Sequence, residues 1–144
     1  MAAHWAVFPQ VTRVHLLLAM DDPESALEQA NSVIGSLHQA GIRLKLAESL
    51  WLQGKAQIAL GNWGQAEEAL LEAQALCEQT NGRQILWQIL ATLAEVKDWL
   101  RSPAAARQLR SQAREIVDYI AANTDREELR ATFLIQPEVA RILQ

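Results

Sequence analysis

Residues 47–80 read AESLWLQGKAQIALGNWGQAEEALLEAQALCEQT. Ala, Leu, Gln and Glu dominate the stretch, all strong helix formers, and it is broken at Gly61-Asn62-Trp63-Gly64. Before the break, Leu46, Leu50, Ile58 and Leu60 mark one face of the segment 42–60. After it, Ala66, Ala69, Leu70, Ala73 and Cys77 follow helical steps of three and four. The stretch predicts two helices joined by a tight turn.

Working outward, the pattern returns at a shift of 40 residues. Ala26, Ala66 and Ala106 align, as do Ala30, Leu70 and Arg110, then Val33, Ala73 and Ala113, then Leu37, Cys77 and Val117. Upstream, Val14, Gly54 and Ala94 fall together, all small or compact. Small residues at one point on each helix of a pair let two backbones approach. A pair alone cannot bury both its faces, so pairs stack.

Helices are predicted near 10–20, 23–39, 42–60, 63–80, 83–101 and 103–123, with a shorter one near 126–134 and a last turn or two near 137–143. Asp22 and Ser102 each precede a proline and suit N-caps with Pro at the first helical position. Asn62 reads as another cap and Gly82 as a helix stop. Apolar Phe133, Leu134, Ile135, Val139, Ile142 and Leu143 are predicted to cap the last pair, shielding Val117, Tyr119 and Ile120.

With Leu50, Gly54, Gly61, Trp63, Ala66, Leu70 and Ala73 in place, residues 47–80 resemble one tetratricopeptide (TPR) repeat. Gln57 stands where a tyrosine is common and Glu78 where proline is common. The longer period, the stretch from Val14 to Leu27, the segment Ala47–Ala56 and the tail Arg130–Val139 are similar to the helical-repeat module of MalT-like transcriptional activators and related signalling ATPases. The resemblance implies an all-α, right-handed α-α superhelix. It would form a single domain over 1–144, with three pairs at about 7–40, 47–80 and 87–120 and a C-terminal cap at 125–144. It also implies a non-catalytic module that binds a protein or peptide partner in a concave groove, as the regulatory part of a transcription or signalling protein. A small-ligand sensor module of a transcriptional regulator is the alternative.

Composition narrows the classes. The chain has 144 residues, 50% hydrophobic and 21% charged, a globular balance. Thirteen Lys+Arg against 17 Asp+Glu give a net charge of −4, which argues against direct nucleic-acid binding. No apolar run approaches the roughly 20 residues of a membrane span, and no phosphate-binding G-x-x-x-x-G-K-[ST] motif occurs. Residues 1–10 lack the pattern of a signal peptide. A cytoplasmic location is expected. One cysteine, Cys77, excludes an intrachain disulfide and is expected in the core.

Candidate chemistry is sparse. His4, His15 and His38 have no metal-ligand spacing, so neither metal nor cofactor is expected, and no catalytic constellation is evident. Trp is the richer signal, with five against one Tyr and two Phe. Trp63 is expected between helices, and Trp87 in the core or at its rim. In a TPR-like pair the first helix lines the groove. Projection from Gly54 and Ala94 places Glu48, Trp51, Lys55, Ile58 and Ala59 there, then Gln88, Ala91, Glu95, Asp98 and Trp99. From the first pair it places Phe8, Val11, Thr12, His15 and Leu18. The predicted partner-binding residues are His15, Trp51, Lys55, Ile58, Glu95 and Trp99, because Trp beside charge is what anchors an interface. An uncovered repeat end, such as one carrying Trp5, Val7 and Phe8, would favour homodimers.

Overall fold

A computed structural model describes residues 7–124 and 126–143. Among them run eight helices: α1 (Val7–Ala19), α2 (Pro23–Ala40), α3 (Arg43–Ala59), α4 (Trp63–Thr80), α5 (Arg83–Trp99), α6 (Pro103–Ala122), α7 (Glu127–Leu134) and α8 (Pro137–Leu143). Each boundary falls within about three residues of its expected place, the scatter usual for helix ends. His4, Trp5, Asp125 and the side chain of Phe8 lie outside the described residues.

The joints explain the period. Asp21, Gly41, Gly61, Asn81 and Arg101 all adopt positive φ, between 60° and 80°. They are spaced every 20 residues, so one 40-residue repeat contains two left-handed turns. At four of these turns the following amide reaches back five residues: Asp22 N–H to the Leu17 carbonyl (2.9 Å), Ile42 to Leu37 (3.3 Å), Asn62 to Gln57 (2.8 Å) and Ser102 to Lys97 (2.8 Å). This is the Schellman closure, which satisfies carbonyls at the helix end.

Two local readings change. Asn81, not Gly82, takes the left-handed position, and Gly82 is the N-cap of α5 at φ −83°. Asp22 does cap α2, accepting from the Ser25 amide at 3.2 Å, whereas Ser102 has nearly the same backbone angles but makes no side-chain cap bond. The Asn62 side-chain amide donates to Gln57 Oε1 at 2.8 Å.

The chain divides into two compact units at Thr80–Asn81. In the first, α2 packs against both α1 and α3, and α3 against α4. Its buried residues include Val11 and Val14 of α1, Ala26, Ala30, Val33 and Leu37 of α2, Leu46, Ala47 and Leu50 of α3, and Ala66, Leu70, Ala73 and Cys77 of α4. The aligned positions of the repeat are therefore the packing positions. Gly54 is buried and its Cα faces Leu70 so closely that a Cβ there would stand 2.8 Å from Leu70 Cγ. Val11, placed by projection in the groove, is instead a core residue. Trp63 is half-buried at the start of α4 rather than enclosed.

In the second unit α5 packs on α6, and α7 and α8 fold back onto α6. Trp87, Leu90, Ala113, Val117 and Val139 form its core, with Ile120, Phe133, Leu134, Ile142 and Leu143 packed against it. The C-terminal segment thus caps the pair, as two short helices. Two residues stay outside the cap: Ile135 is 76% exposed and Tyr119 48% exposed. Tyr119 carries the Arg83 guanidinium 4.4 Å from its ring centroid instead. Arg110, aligned with buried Ala30 and Leu70, is exposed and pairs with Asp98.

Candidate functional site

On α3, Lys45, Glu48, Trp51 and Lys55 succeed one another by three, three and four residues, so they form one stripe along the helix. His15 of α1 reaches across to it. Its Nε2 lies 2.9 Å from Glu48 Oε2, and Lys45 Nζ donates to Glu48 Oε1 at 2.8 Å. The hydrogen bond from His15 holds the Glu48 carboxyl below its ordinary range, against a desolvation that pulls the other way, and Lys45 adds to the lowering. Trp51 is only 8% exposed. The His15 ring stands edge-on to it at 6.1 Å, and the Lys55 ammonium sits 4.6 Å from its ring centroid. Five side chains from two helices thus form one connected cluster, with Trp51 as its floor.

Three of the six predicted residues, His15, Trp51 and Lys55, meet in this cluster. Ile58 is half-buried one turn further along α3. Glu95 and Trp99 belong to the second unit, where Glu95 is exposed on α5 and Trp99, at the end of α5, is 62% exposed. Lys45 was missed by projection, although its (i, i+3) spacing to Glu48 was readable. Glu48 was placed on the groove face but not among the contact residues.

Charge within residues 1–80 is sorted by helix. Every Lys and Arg there, Arg13, Arg43, Lys45 and Lys55, lies on α1 or α3, together with His15 and a single carboxylate, Glu48. The other carboxylates are Glu24 and Glu28 on α2, Glu67, Glu68, Glu72 and Glu78 on α4, and Asp21 and Asp22 at the first joint. Neither α2 nor α4 contains Lys or Arg.

The remaining candidates are structural. Cys77 is fully buried, and burial, with the charge of Glu78 beside it, pushes its thiol up to about 11. Trp87 lies in the core of the second unit with the Phe133 ring perpendicular to it at 6.3 Å. Exposed His38 comes no closer than 3.9 Å to Glu72. Among the described residues no group of three or more His, Cys, Asp or Glu could hold a metal ion, and no helix is long and apolar enough to cross a membrane.

Paired helices, a recurring left-handed turn and small residues at the crossings define an all-α helical-repeat fold of the TPR-like kind. The chain is similar to the crystal structure of the TPR domain of Arabidopsis FLU, with a TM-score of 0.73 and 10% identity over 78% of this chain and 95% of that one. No family model matches the chain, and no curated protein matches it.

Proposed function

We propose that the chain is a non-catalytic interaction module that binds a protein or peptide partner through the exposed sides of its first helices. The observation that carries this reading is the His15–Trp51–Lys55 cluster. A tryptophan floored into the core, with an ammonium on its face and an imidazole at its edge, is pre-ordered before any partner arrives. Pre-ordered aromatic and cationic groups lose little entropy on binding, which is why such residues dominate interface energetics. Ile58 extends this contact along α3. Glu95 and exposed Trp99 provide contacts on α5 of the second unit. The resemblance to MalT-like activators further suggests the interaction part of a transcription or signalling protein.

The test is retention of peptides from an immobilised random 12-residue array by wild type, by His15→Ala with Lys55→Ala, and by Trp99→Ala. These positions are exposed, so the helical circular dichroism signal should persist. Loss of retention in the variants supports the assignment. Retention equal to wild type in all of them overturns it.

A further inference from the structure

We infer that two copies of this chain associate, the acidic outer stripe of α4 in one copy docking on the arginine stripe of α6 in another. This contact is separate from the His15–Trp51–Lys55 cluster and goes beyond the reading above. On α6, Ala104, Arg107, Ser111 and Arg114 follow one another by three, four and three residues, so they share one side of the helix, and all four are exposed. Arg110 is tied to Asp98. Arg107 and Arg114 pair with no carboxylate among the described residues. The stripe ends one turn later at Asp118, so its basic part spans about two turns.

The complementary surface lies on α4. There Glu68, Leu71, Ala75 and Glu78 repeat the three-four-three spacing and are exposed, with exposed Glu72 beside them. The helix contains no Lys or Arg. Glu78 stands in its last turn, where the macrodipole disfavours a carboxylate, so helix stability does not account for it. Leu71 is 45% exposed and lies between Glu68 and Glu78, as Ser111 lies between Arg107 and Arg114.

The two stripes match in length. Arg107 and Arg114 are about 10 Å apart along the axis of α6, and Glu68 and Glu78 about 15 Å apart along α4. The difference, about 2 Å at each end, is within the swing of an arginine side chain. Leu71 then meets Ser111, a side chain small enough to let the helices close on it. Exposed ion pairs alone contribute little, but an apolar side chain sealed between arginine contacts holds an interface. A second copy is the occupant because the chain itself carries both halves of the match. Residues 1–80 hold four Lys or Arg against nine Asp or Glu, and residues 81–144 hold nine against eight. Opposite surfaces of two copies therefore attract while like ones repel.

Sedimentation of the full chain tests this contact. At low ionic strength its mass should rise with concentration above the 16.1 kDa of one copy. The mass should fall back as the Debye length shrinks from about 30 Å at about 0.01 M salt to about 3 Å at about 1 M. Arg107→Glu with Arg114→Glu should weaken association about tenfold, and so should Glu68→Lys with Glu78→Lys. An equal mixture of these two variants should restore it, because each meets opposite charge on the other. Unchanged helical circular dichroism is the control for folding. Chains that stay single at every concentration, association indifferent to salt and to both reversals, or a mixture that does not associate each overturn the inference. Wild type that stays single yet is retained on immobilised polyglutamate, and is released by Arg107→Glu with Arg114→Glu, makes a foreign acidic chain the occupant and overturns it as well.

Discussion

Gly54 of α3 and Leu70 of α4 occupy one space: the hydrogen of the glycine is all that fits where Leu70 Cγ and Cδ2 come within 2.8 and 2.9 Å of a would-be Cβ. This is one of the close helix crossings that the repeat pattern announced. Ala at 54 would gain about 1 kcal/mol of helix propensity but must displace Leu70, which is fully buried. Overpacking of this kind costs about 1–3 kcal/mol. Gly54→Ala should therefore lose about 1 kcal/mol net in urea denaturation. Leu70→Ala should lose about 2–5 kcal/mol, and the double variant less than the sum, because the two side chains compete for one volume. A strictly additive double variant would refute the shared-space account.

The recurring turn yields a prediction of opposite sign. Arg101 holds φ at 61°, a conformation that costs an L-residue with a Cβ free energy and costs glycine little. Its equivalents, Gly41 and Gly61, are glycines. Arg101→Gly should stabilise the protein by about 0.5–1 kcal/mol, and Gly61→Ala should destabilise it by about 1 kcal/mol. Nothing lies within 4 Å of a Cβ built at Gly61, so that loss would report backbone strain alone. Thermal melting of the two variants beside wild type checks both signs.

Most of the fold was legible because the residues that build it act locally or at a fixed spacing. The Asp22-Pro23 entry, Gly61 and the Ala26/Ala66/Ala106 series each declare one joint or one crossing. The missed details are those in which residue identity and conformation part company. Asn81 and Arg101 take a glycine-like conformation without being glycine. Ser102 has cap geometry without the cap bond. The candidate site was half legible for a related reason. Projection finds which side of a helix a residue occupies, and it gathered His15, Trp51 and Lys55. It does not show how deep a ring sinks, so Trp51 emerged as the floor of the cluster and Lys45 went unnoticed. Arg110 illustrates the limit of alignment: it shares a register with buried Leu70 yet reaches out to Asp98.

Cys77 gives a chemical test of burial. Its thiol is pushed up to about 11 by desolvation and has no exposed surface. At pH 8 it should resist a disulfide reagent in the native protein and react fully in denaturant. Its slow native reaction should track the opening of the first unit. Leu70→Ala, which weakens the packing of α4, should speed it, and Val139→Ala in the second unit should leave it unchanged. Rapid labelling of the native wild-type thiol would contradict its place in the core.

Glu48 sets the pH response of the α1–α3 contact. Its carboxyl is held below its ordinary value of 4.5, first by the hydrogen bond from His15 and then by Lys45, despite the opposing effect of burial. A carboxyl whose folded-state value is depressed binds its proton more readily in the unfolded chain. Its contribution to stability is therefore complete above about 4.5 and is lost as pH falls through the lower folded-state value. Glu48→Gln removes that contribution. The stability gap between wild type and Glu48→Gln should be widest at neutral pH, begin to narrow below about 4.5, and continue to narrow in more acid solution. Urea denaturation of the pair from neutral to acid pH measures it. A gap that stays constant across the acid range would mean that the Glu48 charge, and with it the bond that ties α1 to α3, adds nothing to the stability of the first unit.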